Sequence, residues 1–356
     1  MKRIDVVLLA TVTLLTLFGL LMIYDASSFI AFRDFGNKYH YIREQFRWAT
    51  LGFLGLAAFS YFDYHKLYSL SLPLLLIALV LLVLVFVPGL SVYALGARRW
   101  INTGFFILQP AEFVKLALAI YLSAWFSRKE KGRFLAFFLL LGVVITLIML
   151  EPDMGTASIV LFEAIVAYFL SGGSLASFAF LLPVVFMSGF LLIKLEPYRF
   201  ERLMTFLRPI DSLSSSSYHI KQILIALGMG GITGVGIGNS LQKYAYLPEN
   251  TTDSIFAIIA EELGFIGALF LIFGYVVLIW RGFLIASYAR DSFGKLLAGT
   301  IVSFLAIQMI INLAAQTVLI PLTGVPLPFI SYGGSSLVVD LCAIGILLNI
   351  SKQSYA

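Results

Sequence analysis

Residues 68–88 read YSLSLPLLLIALVLLVLVFVP, an apolar run without a charge. A helix rises about 1.5 Å per residue, so a run of this length crosses the roughly 30 Å hydrocarbon core of a bilayer. Comparable runs recur near 6–25, 46–62, 108–126, 134–150, 155–171, 175–194, 255–280, 297–320 and 334–350. They predict an all-α polytopic membrane protein with about ten transmembrane helices. Composition agrees: the 356 residues are 60% hydrophobic and 12% charged, whereas soluble domains carry about 25% charged residues. The first run is too long for the apolar region of a secretory leader and reads as a first span. The chain reads as one integral-membrane domain, 1–356, with 195–250 as a long loop inside it.

Basic residues orient the bundle. With the N-terminus inside, the cytoplasmic segments hold Lys2, Arg3, Lys66, the basic cluster at 128–133, Arg281, Arg290, Lys295 and Lys352. The short loops on the other side hold Arg33, Lys38, Arg43, Arg47, Arg98 and Arg99. The positive-inside rule therefore places both termini in the cytoplasm. The 195–250 loop, between the seventh and eighth spans, then lies outside the membrane. It ends in Leu247-Pro-Glu-Asn-Thr-Thr-Asp253-Ser-Ile-Phe, where polar chain runs back into an apolar helix. A charge at bilayer depth costs about 2.5–3.5 kcal/mol on insertion scales. Asp253 is thus the first candidate for chemistry. The competing reading is a helix N-cap, because an apolar helical run follows it directly.

Other polar residues carry two readings each. Glu112 and Lys115 share one helix face and neutralise each other, either as a packing pair or as the wall of a polar cavity for a charged head group. Asp153 precedes a helical run, so it is a cap or a site residue. Glu261 and Glu262 fall about two turns into the eighth span, where at least one should meet a cation or a polar pocket. Arg98-Arg99-Trp100 reads as an interfacial anchor or a substrate contact. The glycine-rich stretch at 228–240 has no preceding strand and no Gly-Lys-Ser/Thr ending, which excludes a phosphate-binding loop. Its glycines suit backbone lying flat at a membrane surface or close to a head group. Residues 321–336 are apolar but full of helix breakers, which predicts a loop re-entering the bundle. His40, His65 and His219 are far apart without metal-ligand spacing, the single Cys342 reads as helix packing, and no feature points to nucleic acid.

Several motifs in order then make the chain recognisable. They are Gly96-Ala-Arg-Arg-Trp100, Gln109-Pro-Ala-Glu-Phe-Val-Lys115, Asp153-Met-Gly-Thr-Ala157, Gln242-Lys243, the block from Leu247 through Asp253 to Glu261-Glu-Leu-Gly264, and Asn312 followed by Gly324-Val-Pro-Leu-Pro-Phe-Ile-Ser-Tyr-Gly-Gly-Ser335. Over essentially its whole length the sequence resembles the SEDS family (shape, elongation, division and sporulation), and within it the RodA-like members. Thr252 and Ser254 depart from the family pattern, which more often has His-Thr before the acid and Phe after it. The resemblance implies a peptidoglycan glycosyltransferase in the bacterial plasma membrane. Such an enzyme polymerises lipid II with inversion at the outer face, in complex with a class B penicillin-binding protein. The short termini lean toward the lateral-wall, rod-shape role.

One acid suffices for such a reaction. Glycosidases commonly need a second carboxyl to protonate the leaving alkoxide. A lipid pyrophosphate leaves as a stable anion, so the demand is for one base on the attacking hydroxyl and for cations on the phosphates. The resemblance assigns the base to Asp253. Lys243 is the first choice for phosphate contact, followed by Arg98, Arg99, Arg199 and Lys115, with Glu112 and Asp153 in the substrate cavity. A divalent cation, magnesium or manganese, is compatible with the resemblance, and no ligands are assigned to it. The alternatives are a transporter that flips lipid II, which would fit a bundle with intramembrane charges, and a non-catalytic scaffold. No paired inverted halves of the transporter kind are visible in the sequence.

Overall fold

The computed structural model describes residues 4–354 apart from 95–96, 105, 129–131, 196 and 208–214. Lys2, Arg3, Gly96, Lys129, Lys131 and part of the 195–250 loop therefore lie outside the described residues. The chain opens with α1 (Val6–Phe35), α2 (His40–Tyr61) and α3 (His65–Leu84). A small antiparallel sheet follows, β1 (Ser91–Ala94), β2 (Ala97–Asn102) and β3 (Ile107–Leu108), in the order β1-β2-β3. Then come α4 (Pro110–Phe126), α5 (Phe134–Leu150), α6 (Met154–Leu170), α7 (Leu175–Leu195), α8 (Pro197–Leu207) and α9 (Ser215–Gly230). The last three are α10 (Ile255–Tyr288), α11 (Ser292–Gln316) and α12 (Gly334–Ser354). The predicted helical class is present, and five of the described helices, α1, α3, α10, α11 and α12, are long and apolar enough to cross a membrane. The sheet and the two extra helices α8 and α9, which lie within 195–250, are additions to the expected architecture.

Local chemistry sets the helix ends. Asp5 caps α1 by accepting from the Leu8 amide at 2.9 Å, and Gly36 ends it in a left-handed conformation. Asp291 caps α11 by accepting from the Gly294 amide at 2.9 Å. This helix consequently starts at Ser292, earlier than its apolar run. Hydropathy and burial divide the bundle. In their most apolar stretches 83% of α12 and 72% of α11 are buried in protein, against 28% of α3 and 22% of α10. The helices α11 and α12 therefore form the centre. By contrast α10 turns Phe270, Phe273 and Trp280 outward, as a lipid-facing helix does.

The predicted re-entrant segment is present. Residues 317–333 are non-helical, yet Val325, Leu327, Phe329 and Ile330 are buried. Side chains of surrounding helices satisfy its backbone. Asn312 donates to Val325 O (2.7 Å), Gln308 to Pro326 O (3.1 Å), Tyr275 to Pro328 O (2.5 Å) and Gln45 to Ser331 O (3.4 Å). Gly19 on α1 leaves room for this backbone, since a Cβ there would lie 2.5 Å from Phe329 O.

The glycine-rich stretch does something other than meet a head group. Helix α10 is broken at Gly264, whose φ of 65° and ψ of −167° suit only glycine. The break exposes backbone groups, and the glycine segment pairs with them. The amides of Phe265 and Ile266 donate to Gly231 O and Ile232 O at 2.9 and 3.1 Å. The amides of Val235 and Gly236 donate to Glu261 O and Glu262 O at 3.0 and 2.9 Å. Backbone lies directly on backbone: a Cβ on Gly234 would fall 2.1 Å from Glu262 O, and one on Gly264 would fall 2.3 Å from Gly234 N. Gly264→Ala combines a forbidden conformation with this clash, and we expect it to destabilise the protein by about 2–3 kcal/mol. Its thermal unfolding midpoint in detergent reports this; an unchanged midpoint would mean that the break does not depend on glycine.

Candidate active site

Asp253 lies in the turn 249–254 that leads into α10, partly buried. Ser254, not Asp253, occupies the N-cap position of α10, so the N-cap reading of the acid does not hold. The turn is tied from several directions. Its own amides close it, with Thr252 N and Ser254 N donating to Glu249 O at 3.2 and 3.1 Å. Asn312 on α11 donates to Asp253 O at 3.0 Å, and the Tyr332 amide donates to Thr251 O at 2.8 Å. Asn250 reaches Ala26 O on α1 at 3.2 Å.

The carboxylate of Asp253 accepts from the neutral hydroxyl of Thr252 at 3.0 Å. On its other side it faces Gly324 of the re-entrant segment, where an added Cβ would lie 3.9 Å from Oδ2. Burial raises the Asp253 pKa above the usual carboxyl value, while the Thr252 hydrogen bond, a backbone bond from Asp253 itself and the positive charge of Arg202 act against the rise. Arg202, on α8, also donates to Leu322 O at 3.3 Å. Its positive charge acts on the acid, and it is not among the basic residues named above from the sequence. An amphipathic helix inside the long loop brings it there. Its spacing of 51 residues from Asp253 carries no local signal.

The other selected residues are held elsewhere. Lys243 is buried and bonded to Asp25 (2.9 and 3.0 Å) and to Glu262 (3.1 Å). Burial alone would lower its pKa; the two carboxylates outweigh that and hold it raised. The expected cation for Glu262 is thus Lys243, and Glu261 accepts from Ser240 Oγ and from the Leu241 amide. Arg99 donates to Glu151 O and Pro152 O at 3.1 and 2.5 Å, and Arg98 is exposed on β2. Burial pushes the Glu151 pKa up to about 9, with Asp153 adding to the rise and Arg99 opposing it. Asp153 caps α6, accepting from the Thr156 amide and hydroxyl at 3.0 and 2.8 Å, and takes a further bond from Gln109 at 3.3 Å. Glu112 and Lys115 pair at 2.7 Å deep in the bundle, and Lys115 also donates to Gln308 at 2.6 Å. Arg199 is buried on α8.

Among the described residues no group of three or more His, Cys, Asp or Glu is placed to hold a metal ion.

The family model for the FtsW, RodA and SpoVE cell cycle proteins matches residues 5–356. The chain belongs to this family. It is 41% identical to stage V sporulation protein E of Bacillus subtilis (strain 168), over 98% of this chain and 97% of that protein. It is 37% identical to a probable peptidoglycan glycosyltransferase FtsW of Geobacter sp. (strain M18), over 99% of each. The fold matches that of Thermus thermophilus rod shape determining protein RodA with a TM-score of 0.74 and 25% identity, covering 99% of this chain and 98% of that one. It also matches a structure described as the structural coordination of polymerization and crosslinking by a peptidoglycan synthase complex, with a TM-score of 0.80, 27% identity and 99% of each chain covered. Members of this family are multi-pass membrane proteins, in line with the apolar helices of this chain.

Lys243 and Arg202 separate by experiment. Lys243→Ala leaves Asp25 and Glu262 without their cation, which should cost about 3–5 kcal/mol of stability. Arg202→Ala, at an exposed position, should stay within about 0.5 kcal/mol while lowering activity. Thermal unfolding beside turnover measures both; a stable Lys243→Ala variant would remove the structural assignment of that lysine.

Proposed function

We propose that the chain is a peptidoglycan glycosyltransferase of the SEDS type, polymerising lipid II at the outer face of the plasma membrane with Asp253 as general base. The observation that carries this reading is the state of Asp253. It is a carboxylate bonded to a neutral hydroxyl, made more basic by burial and placed beside Gly324 and Arg202 at the rim of the bundle. Asp25 and Glu262 are paired to Lys243, Asp153 accepts from Thr156, and Glu249, an exposed acid of the same turn, shares the Thr252 hydroxyl.

In the proposed step Asp253 takes the proton of the attacking sugar hydroxyl as its oxygen bonds to the donor's anomeric carbon. The anomeric bond to the lipid pyrophosphate breaks, and the pyrophosphate departs with the electron pair. Arg202 and the exposed Arg98 are the cations suited to the departing phosphates. Lys243, paired to two carboxylates, supports the site through α1 and α10. The likeness to a peptidoglycan synthase complex that coordinates polymerization with crosslinking supports a class B penicillin-binding protein as partner. The cellular role has mixed support. The likeness to RodA favours lateral-wall growth, and the likeness to stage V sporulation protein E and FtsW favours spore or septal wall.

Lipid II supplied in detergent, where no sidedness exists, tests the reading. Asp253→Asn should abolish glycan chains; unchanged polymer would remove the assignment, and no polymer from the native chain with its partner would favour transport. The base acts only when ionised, so turnover should fall as pH drops through its pKa, above the ordinary aspartate value of about 3.9. Arg202→Gln removes a charge that lowers this pKa, so the acid limb of the pH–rate profile should move to higher pH. A limb that stays in place would mean that Arg202 does not act on the base.

A further inference from the structure

We propose that His219 is a positioning residue for the base, acting through Ser254 to fix the turn that carries Asp253. The inference rests on the reading of Asp253 given above. His219 lies near the start of α9, and its Nε2 is 2.7 Å from Ser254 Oγ, a hydrogen bond whose donor is set by the imidazole tautomer. Ser254 is fully buried and follows Asp253 directly.

Two features mark this bond as more than incidental packing. Serine is a preferred N-cap residue because its hydroxyl ordinarily accepts from the first free amides of the helix. Ser254 occupies the N-cap position of α10, yet its side chain makes no capping bond; the hydroxyl is directed to His219 instead. The second feature is the packing of α9. Ile223 and Ala226 of α9 are buried in the main core, Ile220 is also buried, and Gly230 at its end packs on the carbonyl of Ala260. The imidazole therefore projects from a fixed platform to the residue next to the base.

The charged groups acting on His219 are Glu249 and Arg202. Burial lowers its pKa to about 4, with Glu249 opposing and Arg202 assisting. The ring stays neutral across the working range and keeps one nitrogen able to donate and one able to accept. The ties from α1, α11 and residue 332 reach the turn's backbone or Asn250, and Thr252 bonds only within the turn, whereas this one joins a side chain adjoining Asp253 to another helix. Without it the carboxylate loses its fixed approach to the incoming hydroxyl. The consequence belongs in kcat, because misplacing a base weakens the transition state more than the bound ground state.

Polymerisation of lipid II by the full chain with its partner, in detergent, tests the proposal. A misplaced group can cost up to about a hundredfold; we expect His219→Leu and Ser254→Ala each to lower kcat about tenfold, with KM within about twofold. The double variant should fall no further than either single one, since both remove the same bond. His219→Gln, which can still reach a hydroxyl, should recover part of the loss. Full kcat in His219→Leu, or losses that multiply in the double variant, would overturn the coupling. Ser254→Ala removes only one oxygen and keeps the test open should His219→Leu fail to fold. Asp253→Asn is run alongside: if it still polymerises, the base assignment falls and this proposal with it; if it is inactive while His219→Leu is not, only the coupling falls.

Discussion

A non-helical backbone buried among membrane helices must find every hydrogen-bond partner inside the protein, and this constraint organises the structure. Each unsatisfied group in an apolar medium costs several kcal/mol. Residues 325–331 meet the constraint through Gln45 on α2, Tyr275 on α10, and Gln308 and Asn312 on α11. Gln308 and Asn312 are one helical turn apart and so project from one face of α11. That face is why the most central helices carry amides where a packing core would carry leucine. Asn312 also holds Asp253 O. The segment that needs support and the turn that carries Asp253 thus share one side chain.

The same logic reaches the buried ion pair. Lys115 donates to Gln308, which in turn holds Pro326 O. Glu112 neutralises Lys115 at 2.7 Å, and the ammonium lies 5.9 Å from the centre of the Phe304 ring. Glu163 and Asp340 also lie within its field, and both are fully buried. A lone ammonium at this depth would be prohibitive, and carboxylates close by make its burial tolerable. Removing Lys115 would leave these acids facing one another and free Gln308 from its partner. The pair therefore supports the re-entrant segment from beneath, whichever substrate the rim above it holds.

What could be read from the chain, and what could not, divides by distance along it. The run at 134–150 is α5 residue for residue, and the helix breakers at 321–336 mark the re-entrant segment, because hydropathy and backbone restriction are local properties. Asp253 was legible as an acid out of place, and the family motifs gave it a substrate class. The partner of Lys243 was not legible, because Asp25 lies 218 residues away on α1. Nor was the work of the glycines at 230–236, which depends on the break at Gly264 in another helix. The helices α8 and α9 were hidden by polar composition; α8 buries Arg199 and Thr205 and exposes Arg202, a pattern that a span search passes over.

The position of Asp253 one residue ahead of the helix decides which donors its carboxylate meets. At the N-cap its oxygens would accept from free amides in the first turn of α10, and the helix dipole would favour the anion. Both effects lower basicity. Ser254 takes that position instead, and the partners of the Asp253 carboxylate are the Thr252 hydroxyl and the backbone of Asp253 itself. Desolvation then dominates and raises its affinity for a proton. Arg202 acts against the rise. The turn sets the chemistry by what it withholds from the carboxylate as much as by what it offers.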